Sequence, residues 1–366
     1  MSPSVDTVFS QFMCCTARFK GENSQGVGEQ GGFPFGEGPT VLFSELPPLT
    51  EDAVMATSRS GNTLVINTLS DLIFFRLSAS ASLQADSIKY VRRVASPGGS
   101  STFFPYVNIS ENGSRVSTIC ESSENKNAVF WSISTEADEI SRYEFPDASG
   151  KVTCACSSGS GMIAGTDEGM VVIWKASEKS TSSFRVRGIA SAVVSDSNFV
   201  FIAIKGCLKV FSIHHFEEVA SVDLPDSVVG PITSMVRPSG RSVVSPRSSA
   251  SGSVFFVAGG VLGQVTLDSK QIVIDSHSLP ANTRHLFYGP FDNGPVMTIT
   301  SSNELLTWET GYCLRTASRF SGKGTLVCAS VSCSREFPRV LIASISIGGQ
   351  LAVTSFGLRA AASSST

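Results

Sequence analysis

Short runs of apolar residues alternate with small, polar turns along most of this chain, and the pattern is clearest between residues 151 and 177. There, residues 152–156, 162–164 and 170–174 are apolar segments of strand length, separated by Ser/Gly-rich and Asp-Glu-Gly sequences. The first segment alternates with a period of two, and Gly169 accepts the positive φ that a tight hairpin turn requires. This stretch therefore predicts three consecutive antiparallel β-strands.

Weaker copies of this unit occur on both sides and predict a repeated four-stranded design. Seven units fit between residues 40 and 356, and the last of them contains three strands. In the first unit the predicted strands are residues 40–43, 53–56, 64–66 and 72–77. An additional apolar segment at residues 7–19 has no partner in its own unit. No segment keeps the i, i+3, i+4, i+7 spacing of an amphipathic helix.

These units predict an all-β fold, a seven-bladed β-propeller of four-stranded antiparallel blades that spans residues 7–358. The N-terminal strand at residues 7–19 would complete the last blade and close the ring, which removes the exposed edges of an open stack of sheets. Residues 1–6 are predicted to be loose, and residues 359–366 are predicted to form a disordered tail.

An aromatic residue recurs near the end of the third strand of several units, within Phe130-Trp131-Ser132, Ile173-Trp174-Lys175, Val210-Phe211-Ser212 and Thr307-Trp308-Glu309. The spacing of Trp131 and Trp174 matches the WD40 period of about 40–45 residues. On these residues the chain resembles a diverged WD40-repeat protein, which implies structural roles for Trp131, Trp174, Phe211 and Trp308. No blade opens with Gly-His and none ends with Trp-Asp. The buried Asp-His-Ser-Trp network of typical WD40 blades is therefore not expected, and apolar packing must supply most of the stability.

Three long insertions are predicted to interrupt the propeller, at residues 21–39, 79–102 and 237–253. The first two are interpreted as consecutive loops that join the outer strand of one blade to the inner strand of the next, which would place them side by side on one face. Aromatic and arginine residues are the types that protein interfaces favour. The hypothesis is therefore that a partner protein binds Phe33, Phe35, Lys89, Tyr90, Arg92 and Arg93.

The third insertion is rich in serine and arginine and is assigned to the opposite face. Ser245 is followed by Pro246 and Arg247, the pattern of a proline-directed phosphorylation site. Phosphorylation there would change the local charge and could switch an interaction.

Composition narrows the classes of protein further. Of the 366 residues, 42% are hydrophobic and 16% are charged, and the net charge of −3 gives no global attraction for nucleic acid. Nine cysteines without a C-x-x-C motif favour a reducing compartment, and the pair Cys154 and Cys156 is interpreted as core rather than as a metal site. The chain shows no secretory signal and no apolar run of membrane-spanning length.

The four histidines, His214, His215, His277 and His285, have neither metal-ligand spacing nor a neighbouring nucleophile motif. We therefore expect a chain that is not an enzyme, has no cofactor, is monomeric on its own, and is cytoplasmic or nuclear. The favoured function is a protein–protein interaction scaffold, a WD40-type subunit of a larger multiprotein assembly. The alternative is a propeller that reads a phosphoinositide, a modified peptide or RNA, through Arg185 and Arg187 or through residues 237–247. Direct contact with nucleic acid is otherwise not expected.

Overall fold

Seven four-stranded antiparallel sheets make up the part of the chain that the structure describes, and each sheet is one blade of a β-propeller. The structure is a computed structural model, and it describes residues 35–43, 46, 49–58, 61–77, 88–97, 101–110, 112–122, 128–146, 150–158, 161–175, 178–196, 198–226, 228, 230–236, 253–267, 271–274, 283–288, 296–300, 304–308, 315–319, 326–334 and 339–358. The first strands of successive sheets are neighbours, and so are those of the first and last sheets. The predicted all-β propeller with four-stranded antiparallel blades is confirmed.

The strands of each blade are called a to d, from the inner strand to the outer one. The chain begins with β1 (Phe35–Phe43). Blade 1 contains β2 (Val54–Thr57), β3 (Thr63–Asn67), β4 (Asp71–Leu77) and β5 (Ile88–Ala95). Blade 2 contains β6 (Ser101–Ile109), β7 (Arg115–Ser122), β8 (Ala128–Ser134) and β9 (Ile140–Glu144). Blade 3 contains β10 (Val152–Ser158), β11 (Gly161–Thr166), β12 (Met170–Lys175) and β13 (Ser180–Arg185).

The remaining blades follow in the same order. Blade 4 contains β14 (Ala190–Ser195), β15 (Phe199–Ile204), β16 (Cys207–Ser212) and β17 (Glu218–Asp223). Blade 5 contains β18 (Ile232–Val236), β19 (Ser253–Ala258), β20 (Val261–Thr266) and β21 (Gln271–Ile274). Blade 6 contains β22 (Thr283–Tyr288), β23 (Val296–Thr300), β24 (Glu304–Trp308) and β25 (Arg315–Arg319). Blade 7 contains β26 (Leu326–Ser334), β27 (Arg339–Ser346) and β28 (Leu351–Leu358).

The first described strand, β1, supplies the fourth strand of blade 7. It pairs antiparallel with β28, from Phe35 opposite Leu358 to Phe43 opposite Leu351. The prediction assigned this position to residues 7–19, which lie outside the described residues, as do residues 1–6 and 359–366. It also assigned residues 40–43 to the first strand of blade 1, and this assignment is wrong because these residues belong to β1.

The error carries through blade 1, where each predicted strand is displaced by one position. Residues 53–56, 64–66 and 72–77 were assigned to strands b, c and d, but they overlap strands a, b and c. Strand d is β5, within the supposed insertion at residues 79–102. Outer strands pair on one side only and face solvent, so β5 lacks the continuous apolar run by which a buried strand is recognised.

The placement of the insertions changes as a result. Residues 78–87 join strands c and d of blade 1, and the end of strand c adjoins the a–b turn, since the Leu77 N–H donates to the Asn62 carbonyl at 2.8 Å. Residues 237–252 lie outside the described residues, but the strands that flank them are a and b of blade 5. In a propeller the a–b and c–d connections share one face. The two connections therefore start from the same face, not from opposite faces.

The hydrophobic core lies between neighbouring blades. The middle strands are buried on both sides, so that every residue of β11 is buried, whereas strand d of the same blade, β13, has no fully buried residue. Between blades 2 and 3, Trp174 stacks on Phe130 with 6.1 Å between the ring centroids. On the side of blade 2 that faces blade 1, Trp131 packs edge-on against Phe103 of the same blade at 5.6 Å, in a buried cluster that includes Phe74 of blade 1. Burial of such large side chains is the main favourable contribution to folding.

Polar groups reinforce the boundary between blades 1 and 2 in a way that the sequence did not reveal. The Asn67 side-chain amide donates to the Phe104 carbonyl at 2.8 Å and to the Tyr106 carbonyl at 3.2 Å. The Thr118 hydroxyl donates to the same Tyr106 carbonyl at 2.7 Å. These carbonyls belong to a β-bulge in β6, where the ladder with β7 is interrupted. Asn67 and Thr118 are fully buried, so this pairing avoids a large desolvation cost.

Candidate partner-binding surfaces

Four of the six residues predicted to bind a partner lie on β5, the outer strand of blade 1. They are Lys89, Tyr90, Arg92 and Arg93. The ladder between β4 and β5 is regular except at one β-bulge, where Arg92 lies opposite Phe74 and Tyr90 lies opposite Phe75. Val91 is the extra residue of this bulge. The four residues therefore occupy an edge strand rather than a loop, and the interpretation of residues 79–102 as one loop is wrong.

Arg92 is occupied by contacts within the protein. Its guanidinium binds Asp138 in blade 2, with 2.7 Å between Nη1 and Oδ1, and also donates to the Ser134 carbonyl. The guanidinium carbon lies 5.0 Å from the centre of the Phe74 ring, which adds a cation–π contact. The Arg92 Nε atom is buried and has no hydrogen-bond partner among the described residues. Arg92 joins two blades and is not available to a partner.

Arg93 is also paired, although its side chain is 62% exposed. Its Nη2 lies 2.5 Å from Oδ2 of Asp71, whose side chain is 7% exposed. The hydrogen bond from Arg93 holds the pKa of Asp71 below its usual value, against the opposing effect of burial, and a second hydrogen bond from Ser70 acts in the same direction. This ion pair fastens strand d to the start of strand c within blade 1.

Two more ion pairs complete a charged seam between blades 1 and 2. Arg76 binds Glu136 at 3.0 Å across the boundary, and Arg115 binds Glu139 at 3.2 Å within blade 2. With Arg92 and Asp138, the acidic c–d turn of blade 2 is held by three arginines. Networks of this kind are more effective than isolated surface pairs, each of which contributes about 0–1 kcal/mol.

Three consecutive exposed residues of β5, Lys89, Tyr90 and Val91, form a small patch that is here called the blade 1 edge patch. Tyr90 is 54% exposed and Val91 is 44% exposed. The Tyr90 ring packs edge-on against the buried Phe75 ring, with 6.1 Å between the ring centroids. Phe75 in turn contacts Phe43 of β1, with 5.2 Å between the centroids. A tyrosine held by its inner edge presents a rigid, amphipathic ring to a partner at a low entropic cost.

The other predicted residues are not brought to this patch by the described structure. Phe35 is the first residue of β1, in blade 7. Phe33 and Ser245 lie outside the described residues, so their predicted roles stay predictions. The aromatic residue of β1 that reaches blade 1 is Phe43, which lies near the opposite end of that strand from Phe35. Sequence reasoning missed this role of Phe43 because residues 40–43 were assigned to the inner strand of blade 1, whereas Phe43 lies on the outer strand of blade 7.

The aromatic residues implied by the WD40 resemblance occupy strand c of their blades. Trp131, Trp174 and Phe211 are buried, and Trp308 is the last residue of β24. Arg142 lies over the Trp131 ring at 4.5 Å. The Trp174 indole N–H is buried and has no hydrogen-bond partner among the described residues. In blade 3, the Trp174 indole therefore takes no part in a hydrogen-bonded network with the described residues.

A second exposed surface lies where the chain passes from blade 3 to blade 4. It consists of Arg185, Arg187, Ile189 and Lys205, all of which are exposed, and is here called the blade 3–4 surface. Ile189 is 56% exposed, the highest value among the large hydrophobic residues described. The sequence had indicated the two arginines as a candidate ligand contact, but it gave no signal for Ile189 or Lys205.

The chemistry of the buried thiols fits a structural role. Burial raises the pKa of Cys154 to about 11 and that of Cys156 to about 12, so both are protonated at neutral pH. Cys154 contacts the Ala190 carbonyl at 3.7 Å and Cys156 contacts the Ser195 hydroxyl at 3.8 Å, both across the boundary with blade 4. Within the described residues, no group of three or more His, Cys, Asp or Glu side chains is placed to hold a metal ion.

Helices of membrane-spanning length and hydropathy do not occur in the described parts of the chain.

Comparison with known proteins gives a match in fold only. No protein-family model matches the sequence, and no curated protein matches it. In contrast, 1112 chains of solved structures are similar. One of them belongs to a structure described as the crystal structure of the mitotic checkpoint complex, with a TM-score of 0.63 and 11% identity over 91% of this chain and 95% of that chain. At this identity the similarity establishes the propeller fold and nothing finer.

Proposed function

We propose that this chain is a diverged, seven-bladed WD40-type propeller that acts as a non-enzymatic scaffold, a subunit of a larger multiprotein assembly in the cytoplasm or nucleus. It works without a cofactor and is monomeric until its partners bind. The observation that carries the proposal is the blade 1 edge patch, where Tyr90 and Val91 are exposed beside Lys89. Exposed aromatic and aliphatic residues that are adjacent on a rigid strand are suited to binding another protein.

The internal contacts of β5 support this proposal. Arg92 and Arg93 anchor the strand to blade 2 and to Asp71, so the strand is already ordered before a partner arrives. A preordered surface loses little conformational entropy on binding, which leaves more of the contact energy for affinity. The arginines therefore support the patch from behind, and Tyr90 and Val91 make the contact.

The likeness to a chain of the mitotic checkpoint complex is compatible with this proposal, because that chain belongs to an assembly. It supports the class of function by analogy, since one propeller fold serves many unrelated functions. It does not carry the identity of a partner from that complex to this chain.

The proposal is tested by capturing the tagged, full-length protein from its source cells and comparing two double variants. Lys89→Glu with Tyr90→Ser reverses the charge of the blade 1 edge patch and removes its aromatic ring. The matched control, Lys179→Glu with Val219→Ser, changes an exposed cation and an exposed bulge valine elsewhere on the propeller.

We expect the edge variant to bind its partners with an affinity about tenfold or more lower, because one anchor residue typically contributes at least about 1–2 kcal/mol to binding. The control variant should retain them at the wild-type stoichiometry. Equal retention by both variants would contradict a role for the edge patch. Recovery of the wild-type protein without any stoichiometric partner would contradict the scaffold function itself.

A further inference from the structure

The blade 3–4 surface combines three cations with one exposed aliphatic side chain at a single point of the propeller. Arg185 is the last residue of β13, and Arg187 and Ile189 belong to the short d–a connection that follows it. Lys205 belongs to the b–c turn of blade 4. The a–b and c–d connections lie at the other face, as do Leu77 at the end of β4 and Val236 at the end of β18.

The backbone brings these residues together. Ala190 pairs with Ile204 at the end of the β14–β15 ladder, so Ile189 and Lys205, one step further along each strand, lie opposite each other. Gly188 approaches so closely that a Cβ atom there would lie 2.8 Å from the Cγ2 atom of Ile204. The d–a connection is therefore held against blade 4.

The positive charge of this surface is not neutralised by the described part of the protein. Arg185, Arg187 and Lys205 make no ion pair with any described residue. The acidic residues of the nearby b–c turn of blade 3 lie against the connection that enters this blade, where the Lys151 N–H donates to Asp167 Oδ1 at 2.8 Å and a Cβ atom at Gly150 would lie 2.5 Å from the same oxygen. Unpaired cations that are clustered at one point attract acidic ligands, even on a protein whose net charge is −3.

We propose that the blade 3–4 surface binds an acidic segment of a partner protein, whose carboxylates meet Arg185, Arg187 and Lys205 and whose aliphatic side chain packs on Ile189. The inference rests on the proposed function, since the segment belongs to a protein that the scaffold holds. Charge complementarity selects the segment and brings it in, and burial of Ile189 contributes affinity that is independent of salt.

A peptide fits this surface better than a membrane or RNA does. A flat anionic bilayer that reached Arg187 would also approach Asp167, Glu168 and Asp226, which are exposed at the same face. A single-stranded nucleic acid requires aromatic side chains on which its bases stack, and the surface contains none. A narrow peptide can follow the cations without touching the acidic residues.

The test is a fluorescence anisotropy titration of the full-length protein with two labelled peptides of about twelve residues. One alternates Glu with Leu, and the other replaces each Glu by Gln. Three proteins are compared with the wild type, namely Arg187→Glu with Lys205→Glu, Ile189→Ser, and a control, Lys179→Glu, that reverses an exposed cation at the opposite face. All substituted side chains are exposed, and thermal unfolding verifies that each variant folds.

The wild type should bind the Glu peptide about tenfold or more tightly than the Gln peptide, and the preference should shrink as ionic strength rises. Arg187→Glu with Lys205→Glu should abolish the preference, Ile189→Ser should weaken both peptides, and the control should stay within about twofold of the wild type. Equal affinity for the two peptides, or an equal loss in the control, would overturn the proposal.

Vesicles of phosphatidylcholine with phosphatidylinositol phosphate provide the second arm. Capture by these vesicles that depends on Arg187 and Lys205, without binding of the Glu peptide, would overturn the proposal in favour of a lipid surface. Failure of the peptide test leaves the scaffold function intact as long as partners are still lost in the Lys89→Glu, Tyr90→Ser variant. If the Glu peptide does not bind and the Lys89→Glu, Tyr90→Ser variant also keeps its partners, both proposals are rejected.

Discussion

Arg92 and Asp138 are joined by an ion pair of 2.7 Å that crosses the boundary between blades 1 and 2. The arginine is on the outer strand of blade 1, and the aspartate is in the acidic c–d turn of blade 2. Because the Arg92 side chain is only 18% exposed and also lies on Phe74, it is part of the protein's own packing. Arginine is a residue type that protein interfaces favour, but Arg92 holds two blades of the protein itself together.

Replacement of Arg92 by alanine should destabilise the propeller by about 1–2 kcal/mol, because it removes a charge-assisted hydrogen bond and the contact with Phe74. Asp138→Ala should cost less, since Asp138 is exposed and the Ser134 carbonyl still binds Arg92. Urea unfolding of the two variants measures both changes. Lys89→Ala, on the same strand, serves as the control and should be nearly neutral. An equal effect of Arg92→Ala and Lys89→Ala would contradict the inter-blade role.

Because of the Asp71–Arg93 ion pair, we expect the free energy of unfolding to decrease in acid. Arg93 holds the pKa of Asp71 below its usual value, so the native state binds this proton less tightly than the unfolded state does. The stabilisation is present above the usual Asp pKa of about 4 and disappears as the pH falls through the lowered native value. At about pH 7 the wild type should therefore unfold at a higher urea concentration than Asp71→Asn does. The difference between the two midpoints should shrink at about pH 3. A difference that does not change with pH would contradict this assignment.

Glu121 should show the opposite pH dependence. Its carboxylate is partly buried and accepts a hydrogen bond from the Val152 N–H at 2.9 Å, and burial raises its pKa above the usual value. The native state then binds the proton more tightly, so stability is lost as the pH rises from below the usual Glu pKa through the raised one. Glu121→Gln keeps an acceptor oxygen for Val152 and removes the charge. We expect this variant to be more stable than the wild type at neutral pH and not in acid, as urea titrations at the two pH values would measure. Destabilisation at neutral pH would exclude this explanation.

Replacement of Gly113 by alanine should cause a steric clash. Gly206 serves as a matched control that measures the cost of backbone strain alone. Both Gly113 and Gly206 have positive φ, of 74° and 78°. A Cβ atom at Gly113 would lie 2.8 Å from Asn62 Oδ1 and 2.9 Å from Thr63 Oγ1, whereas one at Gly206 would meet nothing within 4 Å. Gly206→Ala should cost about 1–2 kcal/mol from backbone strain alone, and Gly113→Ala should cost at least about 1 kcal/mol more. Thermal or urea unfolding of the two variants tests this, and equal costs would contradict it.

The repeat of short apolar strands was enough to predict the propeller, because the middle strands of each blade are buried on both sides. In blade 3, strands β10, β11 and β12 lie close to the segments predicted at residues 152–156, 162–164 and 170–174. Blade 1 was misassigned because β5 contains Lys89, Arg92 and Arg93 and has an extra bulge residue, Val91, so its pattern neither alternates nor stays apolar. Outer strands carry the weakest signal for this physical reason.

The candidate site was predicted less well than the fold. Lys89 and Tyr90, two of the residues predicted to bind a partner, are exposed, but a charged side chain looks the same in a sequence whether or not it is paired. Arg92 finds Asp138 at a separation of 46 residues, a contact that depends on the packing of two blades. Ile189 and Lys205 likewise meet only through the β14–β15 ladder. Such relationships follow from tertiary structure and leave no local pattern.

Cross-linking mass spectrometry of the tagged protein, captured gently from its source cells, tests the scaffold function most directly. Lys89 is the reactive residue of the blade 1 edge patch and is exposed, so a bound partner should cross-link to it. We expect stoichiometric partner proteins with cross-links to Lys89, and the loss of those partners in the Tyr90→Ser variant. A monomer that gives only intramolecular cross-links would contradict the account.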